Sequence, residues 1–358
     1  CNFHFVTSLA HKNELIAALL KEIDIQRNYL QNEPVETIYF GGGTPSLIGV
    51  EDLKLQIEKI RASFQVSESA EITLETNPDD ISAEKLRAWK EIGINRLSIG
   101  IQSFFEEDLM WMNRAHNAAQ AVKSLQLATA LFDNITIDLI YGSPNLTNEK
   151  WKTNVEMVLS YGIPHISCYA LTVEPKTPLQ KMISKGKSEN VNPDKQSEQF
   201  LLLMEWLDEA GYEHYEISNF AKPGFRSRHN SSYWQGKKYL GIGPSAHSFN
   251  GESRQWNVAN NGQYIASLNK EILPFEKEKL TANQQLNEYI MTSLRTMEGL
   301  NLSLVENKFG GDAIKKLQDA SRKYIEDDKM LKSETGYLKL TREGKLLADG
   351  IASDLFTI

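Results

Sequence analysis

Short runs rich in β-branched and aromatic residues alternate with amphipathic stretches through the first half of the chain, and nothing else in the sequence narrows the fold as much. Residues 35–40, 71–76, 96–101, 135–141 and 165–171 predict strands, and 53–64, 83–92, 119–132 and 150–161 predict helices between them. Strands this apolar suit a parallel sheet covered on both faces. Periodicity leaves a doubly wound sheet and a (β/α) barrel equally open. Either fold gathers ligands where the strands end at their carboxyl side, so the residues just after each strand are the ones to read.

The first run ends in Gly41-Gly42-Gly43-Thr44-Pro45. Glycines let a ligand reach bare backbone amides, although a tight βα turn alone would also use them. No Gly-Lys-Ser/Thr completes the turn as a P-loop, and no G-x-G-x-x-G opens a helix, which removes the nucleoside triphosphate reading. The second run carries Glu75 near its end, Gln102 follows the third, Arg114 comes in the next segment, and Asp138 sits inside the apolar fourth strand. Any one of these could be a strand-end cap or a structural ion pair. Together they offer donors and acceptors for an amino-acid head and a ribose.

Downstream, 194–210 predicts a helix and 214–220 a strand, while 221–261 reads as irregular. Short helices from about 280, a strand at 337–340 and a last helix at 342–353 suggest a winged-helix-like appendix. The expected division is a barrel to residue 212, a β-containing extension over 213–275 and a helical module over 276–358. Residues 271–358 carry 13 Lys plus Arg against 15 Asp plus Glu, which argues against a DNA-binding wing. The whole chain, at 358 residues and net charge −8, is similarly poorly suited to nucleic acid. No apolar stretch reaches the roughly 20 residues of a membrane span, so at most a peripheral membrane association is expected. Two cysteines, Cys1 and Cys168, are too few for a disulfide framework, and a reducing cytoplasm fits them. The opening cysteine is expected to lie inside a longer natural chain.

These motifs resemble the radical S-adenosylmethionine superfamily over nearly the whole chain. The likeness is to oxygen-independent coproporphyrinogen III oxidases and their haem-chaperone (HemW-type) relatives. It implies an α/β architecture, an incomplete parallel (β/α)6 barrel with a small winged-helix-like C-terminal α/β module. It also implies that Gly41, Gly42, Gly43 and Thr44 meet the methionine amino group of S-adenosylmethionine, Arg114 its carboxylate and Asp138 its ribose. Glu75, Gln102 and Ala170 fall at further contact positions. The family's C-x3-C-x2-C motif binds a [4Fe–4S] cluster, and Cys1 resembles its third cysteine, the other two lying before residue 1. His229-Asn230-Ser231-Ser232-Tyr233-Trp234 is similar to the H-N-x-x-Y-W signature of the chaperone branch, which implies haem contact by His229, Asn230, Tyr233 and Trp234. His247, in Gly241-Ile242-Gly243-Pro244-Ser245-Ala246-His247-Ser248, is a second imidazole candidate.

Three functions follow from the resemblance. A haem chaperone would hold haem and pass it to apoproteins. An oxidase would cleave S-adenosylmethionine to a 5′-deoxyadenosyl radical and decarboxylate coproporphyrinogen III. A relic barrel would bind the nucleoside alone. Phe3 stands where the oxidase branch carries an additional cysteine, which favours the chaperone.

Overall fold

The computed structural model describes residues 10–357. Cys1, Phe3 and the N-terminal strand expected with the cluster motif lie outside the described residues. Helix α1 (Lys12–Ile25) leads into β1 (Val35–Phe40), α2 (Val50–Ser63), β2 (Val66–Thr76), α3 (Ala83–Glu91) and β3 (Arg96–Gln102). Then follow α4 (Glu106–Trp111), α5 (Ala118–Thr129), β4 (Ile135–Tyr141), α6 (Asn148–Ser160) and β5 (His165–Ala170). Strands β1 to β5 pair in chain order, all parallel, and the sheet curls into a half-barrel. Among the described residues β1 is its free edge.

Period-two alternation sorts the side chains of these strands. Ile72, Leu74, Leu97, Ile99, Ile137 and Leu139 are buried in the core, as are Trp89 of α3 and Trp151 of α6. Truncating either indole to alanine would cost about 3–5 kcal/mol. The alternate positions carry Glu71, Thr73, Glu75, Arg96, Ser98, Thr136, Asp138, His165 and Ser167, so the opposite, concave face is polar. Side-chain caps at Ser82, Asn117 and Thr147 start α3, α5 and α6.

Helices α7 (Pro178–Ser184) and α8 (Pro193–Glu209) lead to β6 (Glu213–Glu216) and β7 (Asn219–Ala221). The single strand expected at 214–220 is therefore a tight antiparallel pair, with a register shift between His214 and Glu216. Strand β7 pairs antiparallel with β5, so the first sheet runs past residue 212 into the segment expected to begin the extension.

The segment read as irregular is more ordered than its Gly, Ser and Asn content suggests. It holds α9 (Arg228–Trp234), β8 (His247–Phe249) and β9 (Ser253–Asn257); α10 (Asn261–Leu268) and β10 (Phe275–Lys279) follow. The three strands form an antiparallel sheet in the order β10-β9-β8. These elements are too short for a periodic signal. Side-chain contacts at long range hold them: Glu22 of α1, fully buried, accepts from Gly243 N at 2.8 Å, from Asn257 Nδ2 at 2.6 Å and from Tyr264 Oη.

The C-terminal module runs α11 (Ala282–Leu294), β11 (Leu300–Asn301), α12 (Leu302–Phe309), α13 (Gly311–Glu326), β12 (Met330–Lys332), β13 (Tyr337–Leu340) and α14 (Ala348–Asp354). Helix, strand, two helices and a two-stranded wing form the winged-helix order, around a separate apolar core. The helix expected at 342–353 is a 3-10 turn, Gly344–Leu347, followed by α14. Gly344 packs against the Lys329 carbonyl so closely that any Cβ would overlap it. The module docks on the β6–β7 hairpin: Arg295 Nε and Nη2 both donate to Glu216 Oε1 at 2.9 Å, and Ile217 N donates to Arg295 O at 3.0 Å.

Candidate cofactor-binding site

Four parallel strands converge on one rim. A small pocket of about 180 Å³ is lined there by Gly43, Thr44, Pro45, Glu75, Thr76, Asn77, Ser98, Gly100, Gln102, Arg114 and Asp138. It therefore brings together Gly43, Thr44, Glu75, Gln102, Arg114 and Asp138, predicted from positions nearly a hundred residues apart. Gly41 and Gly42 line a larger adjoining cavity; Ala170, at the end of β5, lines neither.

The glycine turn is built for an exposed backbone. Gly42 and Gly43 have φ of +77° and +68°, in the left-handed region, with open space where a Cβ would stand. Glu75 anchors the turn, its Oε2 accepting from Gly42 N at 3.1 Å while its Oε1 accepts from Tyr39 Oη at 2.7 Å. Arg114 follows α4 in a turn where Asn113 has φ of +54°. Its Nη2 donates to Asn77 Oδ1 at 3.0 Å and Gly100 O at 3.3 Å, and its buried Nε has no partner. Arg114 lines the polar pocket, and its guanidinium fits an incoming carboxylate there.

Desolvation, reinforced by the charge of Glu75, pushes the Asp138 carboxyl up to about 7, while Ser167, Arg96 and Arg114 hold it down. Burial pulls the Arg114 guanidinium down from its usual value, against Asp79 and Asp138. An amino-acid carboxylate at Arg114, an ammonium near Glu75 and a hydroxyl pair near Asp138 would each meet a partner of the right character. The donor set thus fits S-adenosylmethionine. Among the described residues no group of three His, Cys, Asp or Glu could hold a metal, and the cluster expectation at Cys1 lies outside them.

The adjoining cavity, about 1660 Å³, runs along the free edge of β1 between α1 and α9. Leu15, Ile16, Leu19, Phe40, Tyr239 and Leu240 are among its walls, with Lys12, Lys237 and Lys238 at its margin. It exceeds the roughly 300–1,000 Å³ of most small-ligand sites. Helix α9 carries the H-N-x-x-Y-W residues, of which His229 and Tyr233 line the cavity.

His229 is not idle. Its Nδ1 bonds Thr37 Oγ1 at 2.8 Å, its Nε2 bonds Tyr233 Oη at 2.9 Å, and its ring stacks on Tyr39 at 4.7 Å and 16°. Burial, with the Arg96 charge adding to it, pulls the imidazole down to about 4, so it is neutral at pH 7. Trp234 sits under the Arg295 guanidinium at 5.2 Å, its indole N–H buried without a partner. The Asn230 backbone N–H donates to Ser227 Oγ at 3.2 Å as part of the α9 cap. His247 lines the cavity, exposed, 6.2 Å from the Trp256 ring. Cys168 is buried in β5, where burial raises its thiol pKa well above the ordinary value.

Tyr39, Asn77 and Glu71 were not singled out in the sequence. Tyr39 lies two residues before Gly41, hence on the same strand face, which is the one signal that could have found it. Glu71 accepts from Arg228 N at 3.1 Å and His229 N at 3.0 Å, an N-terminal cap supplied from 157 residues away and invisible to local reading.

A curled parallel sheet with a glycine turn, a carboxylate and an arginine on its carboxyl rim defines a radical S-adenosylmethionine protein, and residues 16–158 match the Radical SAM superfamily. Residues 280–347 match the HemN C-terminal domain. The chain is 33% identical over 320 residues to heme chaperone HemW of Bacillus subtilis, covering 88% of this chain and 84% of that one. It is 32% identical over 342 residues to heme chaperone HemW of Mycobacterium tuberculosis H37Rv, covering 95% and 85%. The chain belongs to the HemW family. The solved structure of coproporphyrinogen III oxidase (HemN) from Escherichia coli superimposes with a TM-score of 0.85 at 22% identity, over 100% of this chain and 86% of that one, and shares its fold. No described helix is long and apolar enough to cross a membrane.

Proposed function

We propose that this protein is a cytoplasmic haem chaperone that binds S-adenosylmethionine, a [4Fe–4S] cluster and haem, and hands haem to acceptor apoproteins. The relatives that carry the reading are the HemW proteins, named as heme chaperones. The observation in this chain that supports it is the cavity of about 1660 Å³, which opens onto the glycine turn on one side and the H-N-x-x-Y-W helix on the other.

In this reading Gly41, Gly42, Gly43 and Thr44 receive the methionine amino group, with Glu75 fixing the turn. Arg114 takes the carboxylate, Asp138 takes the ribose, and Gln102 and Ala170 complete the surroundings. Cys1 is assigned to the cluster, which when bound supplies the electron for reductive cleavage of the sulfonium. His229, Asn230, Tyr233 and Trp234 form the haem-facing helix. His229 can reach an iron only by giving up its bond to Tyr233 or to Thr37, and His247 is the imidazole with an exposed ring. The oxidase activity is the second reading, favoured by the shared fold.

The test is anaerobic cluster reconstitution of the natural protein, followed by haem titration and by a coproporphyrinogen III assay. Tight haem binding without conversion supports the chaperone; conversion with release of 5′-deoxyadenosine overturns it in favour of the oxidase.

A further inference from the structure

The stacked rings of His229 and Tyr39 both line the larger cavity, one from α9 and one from β1. Each His229 nitrogen is held within the chain, by Thr37 on one side and Tyr233 on the other. The imidazole lies 4.7 Å from the Tyr39 ring and within 16° of parallel to it. The Tyr39 hydroxyl in turn donates to Glu75, whose second oxygen holds the Gly42 N–H. A Cβ on Gly41 would stand 2.5 Å from the Tyr39 ring and 2.9 Å from Glu75 Oε1. The pair is therefore packed directly against the turn, and Tyr39 cannot tilt without moving Glu75.

We infer that His229 is a positioning residue of the S-adenosylmethionine site, acting through Tyr39 and Glu75 on the glycine turn. The inference rests on the cofactor reading of that turn and adds to it a residue from the helix otherwise assigned to haem. A neutral imidazole with two fixed hydrogen bonds is a rigid plate. It sets the Tyr39 plane, Tyr39 sets one carboxylate oxygen, and the other oxygen keeps Gly42 in its left-handed conformation. A residue that leaves this arrangement to coordinate iron would loosen the turn. By reciprocity of linked binding, a bound cofactor would then resist that departure.

The experiment is a double-mutant cycle on the full chain, wild type, Tyr39→Phe, His229→Ala and the pair. S-adenosylmethionine affinity is read by calorimetry with and without the cluster, and folding by thermal melting. Tyr39→Phe keeps the ring stack and removes only the bond to Glu75, so it holds its melting temperature. Each single change is expected to weaken the cofactor roughly five- to tenfold, the scale of one ordinary intramolecular hydrogen bond felt at one remove from the ligand. The pair should be no weaker than the stronger single, because both cut the same chain of contacts. The inference is overturned if either single variant binds within twofold of wild type, or if the losses multiply. A wild-type protein with no measurable affinity overturns the cofactor reading and this inference together, an outcome distinct from normal wild-type binding with unaffected variants.

Discussion

Arg295→Ala should separate the C-terminal module from the half-barrel. Arg295 is mostly buried and spends two guanidinium nitrogens on Glu216, which is only 1% exposed. Removing one partner of such a pair leaves a buried charge and costs about 3–5 kcal/mol. Glu216 keeps Ser218 N at 3.0 Å and Asn219 Nδ2 at 2.5 Å, which sets the loss at the lower end, about 3 kcal/mol. Losing the guanidinium over Trp234 adds about 0.5–1 kcal/mol. The third bond, to the 83% exposed Asp349, is screened by water and adds little. The expected total is about 3–4 kcal/mol, read as an early transition in urea unfolding and as new protease cleavage near residue 295. Glu216→Gln in the Arg295→Ala background should recover part of the loss, since a neutral amide no longer strands a charge. A loss below about 1 kcal/mol, or no recovery in the double variant, would refute the reasoning.

Arg114→Ala should weaken S-adenosylmethionine roughly 10- to 150-fold, the range of a hydrogen bond to a charged group, with the melting temperature little changed; an unaltered dissociation constant would remove Arg114 from the site. Asp138, with its carboxyl raised to about 7, favours the folded state fully below about pH 4 and loses that contribution as pH rises through 7. Asp138→Asn should therefore gain stability over wild type between pH 5 and pH 8, and melting curves with a constant gap across that range would contradict it. The Cys168 thiol, buried and raised, should resist alkylation at pH 8 until the protein is unfolded, and rapid labelling of the native protein at that residue would count against its burial.

The rim was legible because its residues sit at fixed points in a repeated unit. A strand that turns polar near its end marks Glu75, and a charge inside an apolar run marks Asp138. Helix α9 was visible only as a motif, because it is seven residues long and its cap comes from Glu71, on a strand read for its apolar half alone. The role of His229 was not legible at all. Its partners Thr37 and Tyr39 lie about 190 residues earlier, and nothing local says that both ring nitrogens are already used. Strand β2 begins five residues before the expected start, because 66–70 is polar and pairs at the margin of the sheet. Helix α1 falls outside the expected elements, although Ile16 and Ile23 on one side and Ala18 and Glu22 on another are buried.

The carboxylate of Glu22 also sets a timetable. Its three partners lie 221, 235 and 242 residues further along the chain. At a synthesis rate of roughly 5–20 residues per second, helix α1 must wait on the order of 10–50 seconds before the groups that neutralise its buried acid exist. During that interval Ala18, which packs with Tyr264 and Leu268, lacks that cover, and Glu22 stays charged in water. Only when Tyr264 arrives does hiding the acid become favourable. The side of α1 that meets α10 is therefore set late, although its packing on α2 can form early, and a chain interrupted before residue 264 would leave that side uncovered.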